Sequence, residues 1–249
     1  MEAPPPQGAM PYATHRDPVT DRTDMHRGVD AMMPVPFPTI RQFPGPAGPL
    51  EALFERPPVP ARIVVVFGHP HPQYGGTMHT KVVHRAAKTF LGLGCAVLRF
   101  HFRGVGTSAG SWDDGVGERD DFHAALDFAA STYPDATLWA AGFSFGAWLA
   151  LTCGVPDERV TRLLGIAPPI GRRSHSVVAT STKPTHFIHG AQDELIPLDA
   201  LHRFYETVST PKTLTVIENA NHLFEGRIAE LGDAIQETFA PHLQIEVKI

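Results

Sequence analysis

The chain has 249 residues, 43% hydrophobic and 19% charged, with a formal net charge of −5. That length suits one sizeable α/β domain, and the charge balance gives no footprint for nucleic acid or an anionic membrane. No apolar stretch approaches the roughly 20 residues of a bilayer span, and Met1-Glu2-Ala3-Pro4-Pro5-Pro6 lacks the basic-then-apolar order of a secretory signal, so a cytoplasmic protein is expected.

Residues 1–34 are rich in Pro, Asp, Arg, Thr and Met without a sustained apolar period, which predicts a disordered or loosely attached extension ahead of a domain over residues 35–249. Thr39–Phe43 and Leu50–Arg56 flank a Pro- and Gly-rich link and read as a hairpin at a sheet edge, where proline is tolerated. Six strands are then predicted at Arg62–Phe67, Cys95–Phe100, Leu138–Ala141, Arg162–Ile166, Thr185–His189 and Thr213–Ile217. Ile63 to Phe67 shows no polar alternation, as expected of a parallel strand covered on both faces. Helical spacing joins Phe122, Leu126 and Ala129, and again Ile228, Leu231, Ile235 and Phe239. The alternation predicts a doubly wound, mostly parallel β-sheet with ligands at the strand C-terminal edge. Residues 168–184 leave room for one short helix between two strands, so no cap domain and an open site are expected. Cys95 and Cys153 fall in apolar patterns and read as small core residues, not as a disulfide.

Gly142-Phe143-Ser144-Phe145-Gly146 follows the apolar run Leu138 to Ala141 and precedes a helical pattern. A G-x-S-x-G at a strand-to-helix turn is a nucleophile elbow. The serine sits strained with its hydroxyl exposed, and the flanking backbone is too crowded for a Cβ. In a chain of this length the pattern arises by accident about one time in ten, so downstream partners must decide.

A serine hydroxyl needs a base, and the base needs an acid to fix its tautomer. In the order Ser, acid, His, the acid candidates are Asp193 and its neighbour Glu194, following the Thr185–His189 strand. The base is His222, after the last strand and before the final helix; His186 and His189 read as packed, His202 and His242 as helix-surface residues. Two backbone N–H groups should form the oxyanion hole. Phe145 offers one; His71 or Gln73 offers the other, because Pro70 and Pro72 have no N–H, and His71 is preferred only because it sits where comparable loops place the donor. Gly75-Gly76 would let the backbone pass close to substrate. His69-Pro70-His71 invites a metal reading, but no third ligand at recognisable spacing follows, and neither metal nor cofactor is expected.

The elbow, Gly190-Ala191-Gln192-Asp193 and Asn221-His222 resemble the α/β-hydrolase superfamily. His69 to Met78 and Phe102-Arg103-Gly104-Val105-Gly106-Thr107-Ser108 resemble its lidless branch, close to dienelactone-hydrolase-like and acylaminoacyl-peptidase-like proteins. Dienelactone hydrolases proper use cysteine where this chain has Ser144, and relatives often carry Asp or Asn where it has His101. The resemblance implies a serine hydrolase cleaving carboxylic esters with a Ser144-His222-Asp193 triad, and Arg103 to Ser108 as a structural turn. Phe143, Trp112, Leu195 and Leu223 are candidates for an apolar-rimmed pocket taking small or short-chain acyl esters. A peptidase, thioesterase or acyltransferase on the same triad, and a binding protein without turnover, remain rivals. The partner implied is a small-molecule ester; a homodimer stays open.

Overall fold

The computed structural model describes residues 40–243, so the predicted extension over residues 1–34 lies outside the described residues. Every residue of β3 (Ile63–Gly68) and β4 (Ala96–Phe100) is buried, as strands covered on both faces require, and the one charged member, Arg99, pairs with Glu55 at 2.7 Å. Around them lie β1 (Ile40–Gly45), β2 (Gly48–Glu55), β5 (Thr137–Phe143), β6 (Val160–Ile166), β7 (Thr185–Gly190) and β8 (Lys212–Ile217). The sheet order is β1-β2-β4-β3-β5-β6-β7-β8. The β1–β2 and β2–β4 pairs are antiparallel and all others parallel. The predicted hairpin is therefore present at one edge, running further into its turn than expected because Pro44 pairs with Pro49.

Helices cover both faces. Val64 and Val66 pack on one side with α2 (Val116–Thr132), α3 (Phe145–Gly154) and α5 (Leu198–Thr207). Val65 and Phe67 pack on the other with α1 (Lys81–Gly92) and α6 (Ile228–Phe239). Alternating strand side chains thus feed two separate cores. All ten residues of α3 are buried, so the helix behind Ser144 is a fixed interior element. The only helix between β6 and β7 is the short α4 (Ser176–Ala179), which leaves the C-terminal edge of the sheet without a cap. Both cysteines are buried thiols, and burial pushes Cys153 up to about 12. Among the described residues no helix is long and apolar enough to cross a membrane.

Phe102 to Ser108 is a structural turn, as predicted. Arg103 grips Asp121 through Nε and Nη2 at 2.8–3.2 Å, and Ser108 Oγ donates to the His101 carbonyl at 2.8 Å.

Candidate active site

Ser144 stands between the end of β5 and the first residue of α3 with φ 52° and ψ −116°, a strained conformation for a residue with a Cβ. Its backbone N–H donates to the Ile166 carbonyl at 2.8 Å, which anchors the strained residue to β6. The flanking glycines are steric necessities. A methyl on Gly142 would overlap the Gly146 carbonyl, and one on Gly146 would overlap the Gly68 carbonyl at the end of β3. Gly146→Ala is therefore expected to cost about 3 kcal/mol, at the upper end of overpacking effects because the obstruction is backbone. Urea denaturation of the variant beside the wild type checks this.

The loop after β7 carries Asp193, and the loop after β8 carries His222. Hydrogen bonds stitch the two loops together: Ala191 N–H donates to Ile217 O at 3.0 Å and Gln192 N–H to Ala220 O at 2.9 Å. Asp193 Oδ1 accepts the Leu195 and Ile196 N–H groups at 2.9 and 2.8 Å, turning Oδ2 toward the imidazole. His222 Nδ1 lies 2.7 Å from Asp193 Oδ2, and its Nε2 lies 3.0 Å from Ser144 Oγ. The three predicted residues thus converge in a continuous line. Glu194 takes a different place, accepting the His222 backbone N–H at 3.2 Å.

Burial works to raise the Asp193 carboxyl. The hydrogen bond and charge of His222, with the Ile196 N–H, outweigh it and hold the group below the ordinary carboxylate value. Asp193 is therefore ionised at neutral pH, and His222 Nδ1–H donates to it. That leaves Nε2 as an acceptor for the Ser144 hydroxyl. Phe143 is fully buried, and its ring packs against His222 at a centroid distance of 5.3 Å, backing the imidazole instead of lining a pocket.

A second histidine lies behind the acid. His189 is fully buried at the end of β7; its Nε2–H donates to Ile196 O at 2.9 Å and sits 3.5 Å from Asp193 Oδ2. His186 is likewise buried, as expected, and His202 is exposed on α5. His242 departs from its expected place on a helix surface. It is half-buried in a 3-10 turn with its ring 5.6 Å from that of His186.

Beside Ser144 lies an open cleft of about 370 Å³, whose lining includes His71, Phe145, Arg172, Arg173, Leu195 and His222. The Phe145 N–H opens α3 and has no intrahelical acceptor. The His71 N–H makes no hydrogen bond among the described residues, whereas the Gln73 N–H donates to His71 Nδ1 at 3.3 Å. The His71 ring is wedged among Tyr74, Trp112 and Phe145 at 4.6, 4.5 and 5.2 Å. His69 is fully buried, with Nδ1 on the Pro70 carbonyl at 2.6 Å and Nε2 accepting the Phe102 N–H at 3.1 Å. A Cβ on Gly76 would overlap the carbonyls of Pro70 and His71, whereas one on Gly75, at φ 77°, would meet open space.

No family model matches the chain. An uncharacterised protein of Rickettsia prowazekii (strain Madrid E) is 33% identical over 204 residues, covering 78% of this chain and 86% of the relative. An α/β serine hydrolase homologue from Coxiella burnetii is 35% identical with a TM-score of 0.76, covering 80% of this chain and 95% of that one. An α/β serine hydrolase without a lid from Xanthomonas campestris is 37% identical with a TM-score of 0.73, covering 79% and 90%. This chain belongs to the lidless α/β serine hydrolases.

In this lidless hydrolase the cleft is mostly apolar, as expected from the sequence, but Tyr74, Phe145, Pro169 and Ile196 line it in place of most of the expected residues. Of the four predicted lining residues only Leu195 faces it. Trp112 packs behind His71 and Phe145, while Leu223 lines a separate groove with Thr80, Val82 and Ile228. Arg172 and Arg173, with Asp114, add charged groups to this lining. The arginines follow β6, the strand between those that lead to Ser144 and to Asp193. Their position in the connection after β6 was the available signal, since loops at strand C-terminal ends share one rim.

Proposed function

We propose that this hydrolase cleaves carboxylic esters through an acyl-enzyme, with Ser144 as nucleophile, His222 as general base and acid, and Asp193 orienting the imidazole. The observation that carries the reading is the unbroken relay of 3.0 Å from Ser144 Oγ to His222 Nε2 and 2.7 Å from Nδ1 to Asp193 Oδ2. His222 Nε2 takes the hydroxyl proton as Oγ bonds to the carbonyl carbon. It then returns that proton to the departing alkoxide, and a water repeats the sequence to release the acid. The oxyanion is met by the Phe145 N–H at the positive end of α3 and by the His71 N–H. Their lack of other acceptors supports both assignments. A cleft of about 370 Å³ favours small acyl groups.

A fluorophosphonate probe should label Ser144, and absence of an adduct would remove this reading in favour of a non-turnover binding protein. A panel of p-nitrophenyl esters, acyl-CoAs and aminoacyl anilides separates an esterase from a thioesterase or peptidase on the same relay. The acid assignment has its own test. Asp193→Asn is expected to lower kcat by about 10³- to 10⁴-fold by favouring the wrong tautomer. Glu194→Gln keeps an acceptor for the His222 N–H and should cost about tenfold or less. Equal losses in steady-state assays would reassign the acid.

A further inference from the structure

The cleft beside Ser144 holds two guanidinium groups against one carboxylate, in a chain whose formal net charge is −5. The two arginines are not equivalent. Arg173 is already satisfied: Nη1 donates to Asp114 O at 2.9 Å, Nη2 pairs with Asp114 Oδ1 at 2.7 Å, and the guanidinium lies 5.1 Å from the Trp148 ring centre. Arg172 has no carboxylate partner among the described residues; its Nη2–H donates to the Leu195 carbonyl at 3.1 Å. A guanidinium carries five N–H donors in a planar fork, and on this exposed side chain those not bound to Leu195 are left to solvent or to a ligand in the cleft.

Its backbone is also held firmly. Ala167-Pro168-Pro169 leads from β6 into a turn in which Gly171 takes φ 81°. The Ile170 N–H donates to Pro168 O at 2.8 Å, and the Arg172 and Arg173 N–H groups donate to Pro169 O at 3.1 and 3.3 Å. Two prolines and three backbone bonds remove much of the freedom that an exposed arginine on a long loop would have. The Leu195 carbonyl that holds the fork lies two residues after Asp193, so the guanidinium is tied to the acid loop of the site itself.

We infer that the substrate of this site is an ester bearing a carboxylate, received by Arg172 at the rim of the Ser144 cleft. The inference rests on the ester-hydrolase reading above. A neutral acyl ester leaves this cation to the Leu195 carbonyl and solvent, whereas a carboxylate forms a charge-assisted pair with the fork. Asp114 already occupies Arg173, so that residue supports the rim and Arg172 selects.

Two matched pairs of esters test this. 4-Nitrophenyl hydrogen glutarate against 4-nitrophenyl pentanoate places the charge on the acyl side; 3-acetoxybenzoate against its methyl ester places it on the leaving group. At low salt one anionic ester should exceed its neutral match in kcat/KM by about tenfold, and the ratio should shrink toward about 0.5 M salt. Arg172→Gln should bring the ratio to about one, and Arg172→Lys, a charge without the fork, should keep part of it. Each ratio is taken on one preparation, so partial loss of folded protein cancels. No anion preference in either pair, or a preference that survives Arg172→Gln, overturns the inference. If no ester is turned over and Ser144 takes no probe, the hydrolytic reading fails separately. Titration of glutarate followed by NMR then decides the anion site. Shifts lost in Arg172→Gln keep it, and no binding to the wild-type protein ends it.

Discussion

Replacing Ser144 by alanine is expected to lower kcat by about 10⁴-fold or more, with KM little changed and the fold intact. The Oγ makes its decisive bond only as the reaction proceeds, so its removal takes away transition-state stabilisation and leaves ground-state binding largely in place. Alanine keeps the Cβ, so the strain at φ 52° is the same in both proteins. The anchoring bond from residue 144 N–H to Ile166 O involves only backbone and also survives. Residual turnover would come from the two oxyanion donors polarising the carbonyl toward water. Steady-state kinetics with p-nitrophenyl acetate, beside circular dichroism of both proteins, measures this. Retention of most activity by the alanine variant would rule out an acyl-enzyme at this residue.

The sequence revealed the site where chemistry constrains residue identity and lost it where only loop geometry decides. Gly142 and Gly146 stand out because a Cβ at either meets a carbonyl oxygen, a demand that no side chain but hydrogen satisfies. Asp193 and His222 were legible from chain order, since loops at the ends of successive parallel strands reach one rim. Strand ends were less legible. β5 was predicted to stop at Ala141, yet Gly142 and Phe143 continue it in register with Gly165 and Ile166. A glycine and an elbow residue carry no strand signal of their own. The pocket was least legible. Phe143 and Leu223 follow or precede catalytic residues by one position, but adjacency along the chain does not set direction. Phe143 turns inward behind His222, and Leu223 turns toward α6. Arg172 and Arg173 belong to no periodic pattern, and only the close of their turn on Pro169 brings them to the cleft.

Global stability is expected to fall steeply between pH 7 and pH 5, because three buried histidines accept hydrogen bonds or lie dry where a second ring proton has no place. His69 Nε2 accepts the Phe102 N–H, so its protonation would set two donors face to face. His186 Nε2 faces the Arg162 guanidinium at 3.1 Å while Nδ1 meets Thr213 Oγ1 at 2.7 Å. His175 gives Nδ1–H to the Arg173 carbonyl at 2.8 Å, and its buried Nε2 has no partner among the described residues. Burial, foremost in each case, pushes His69 and His186 down to about 3 and His175 to about 4. The unfolded chain binds these protons near the ordinary value of about 6.5 while the folded one refuses them. Stability is therefore lost as pH falls below about 6.5, and the loss from these groups ceases near their folded values. At pH 5 each contributes on the order of 2 kcal/mol, and together they reach the scale of a domain's whole stability of about 5–15 kcal/mol. Urea midpoints at pH 7, 6 and 5 measure the effect, and His186→Gln should remove about a third of the slope by leaving nothing to titrate at that position. A midpoint unchanged from pH 7 to pH 5 would mean that these rings gain protons in the folded state, and the hydrogen-bond directions assigned to His69 and His186 would then be wrong.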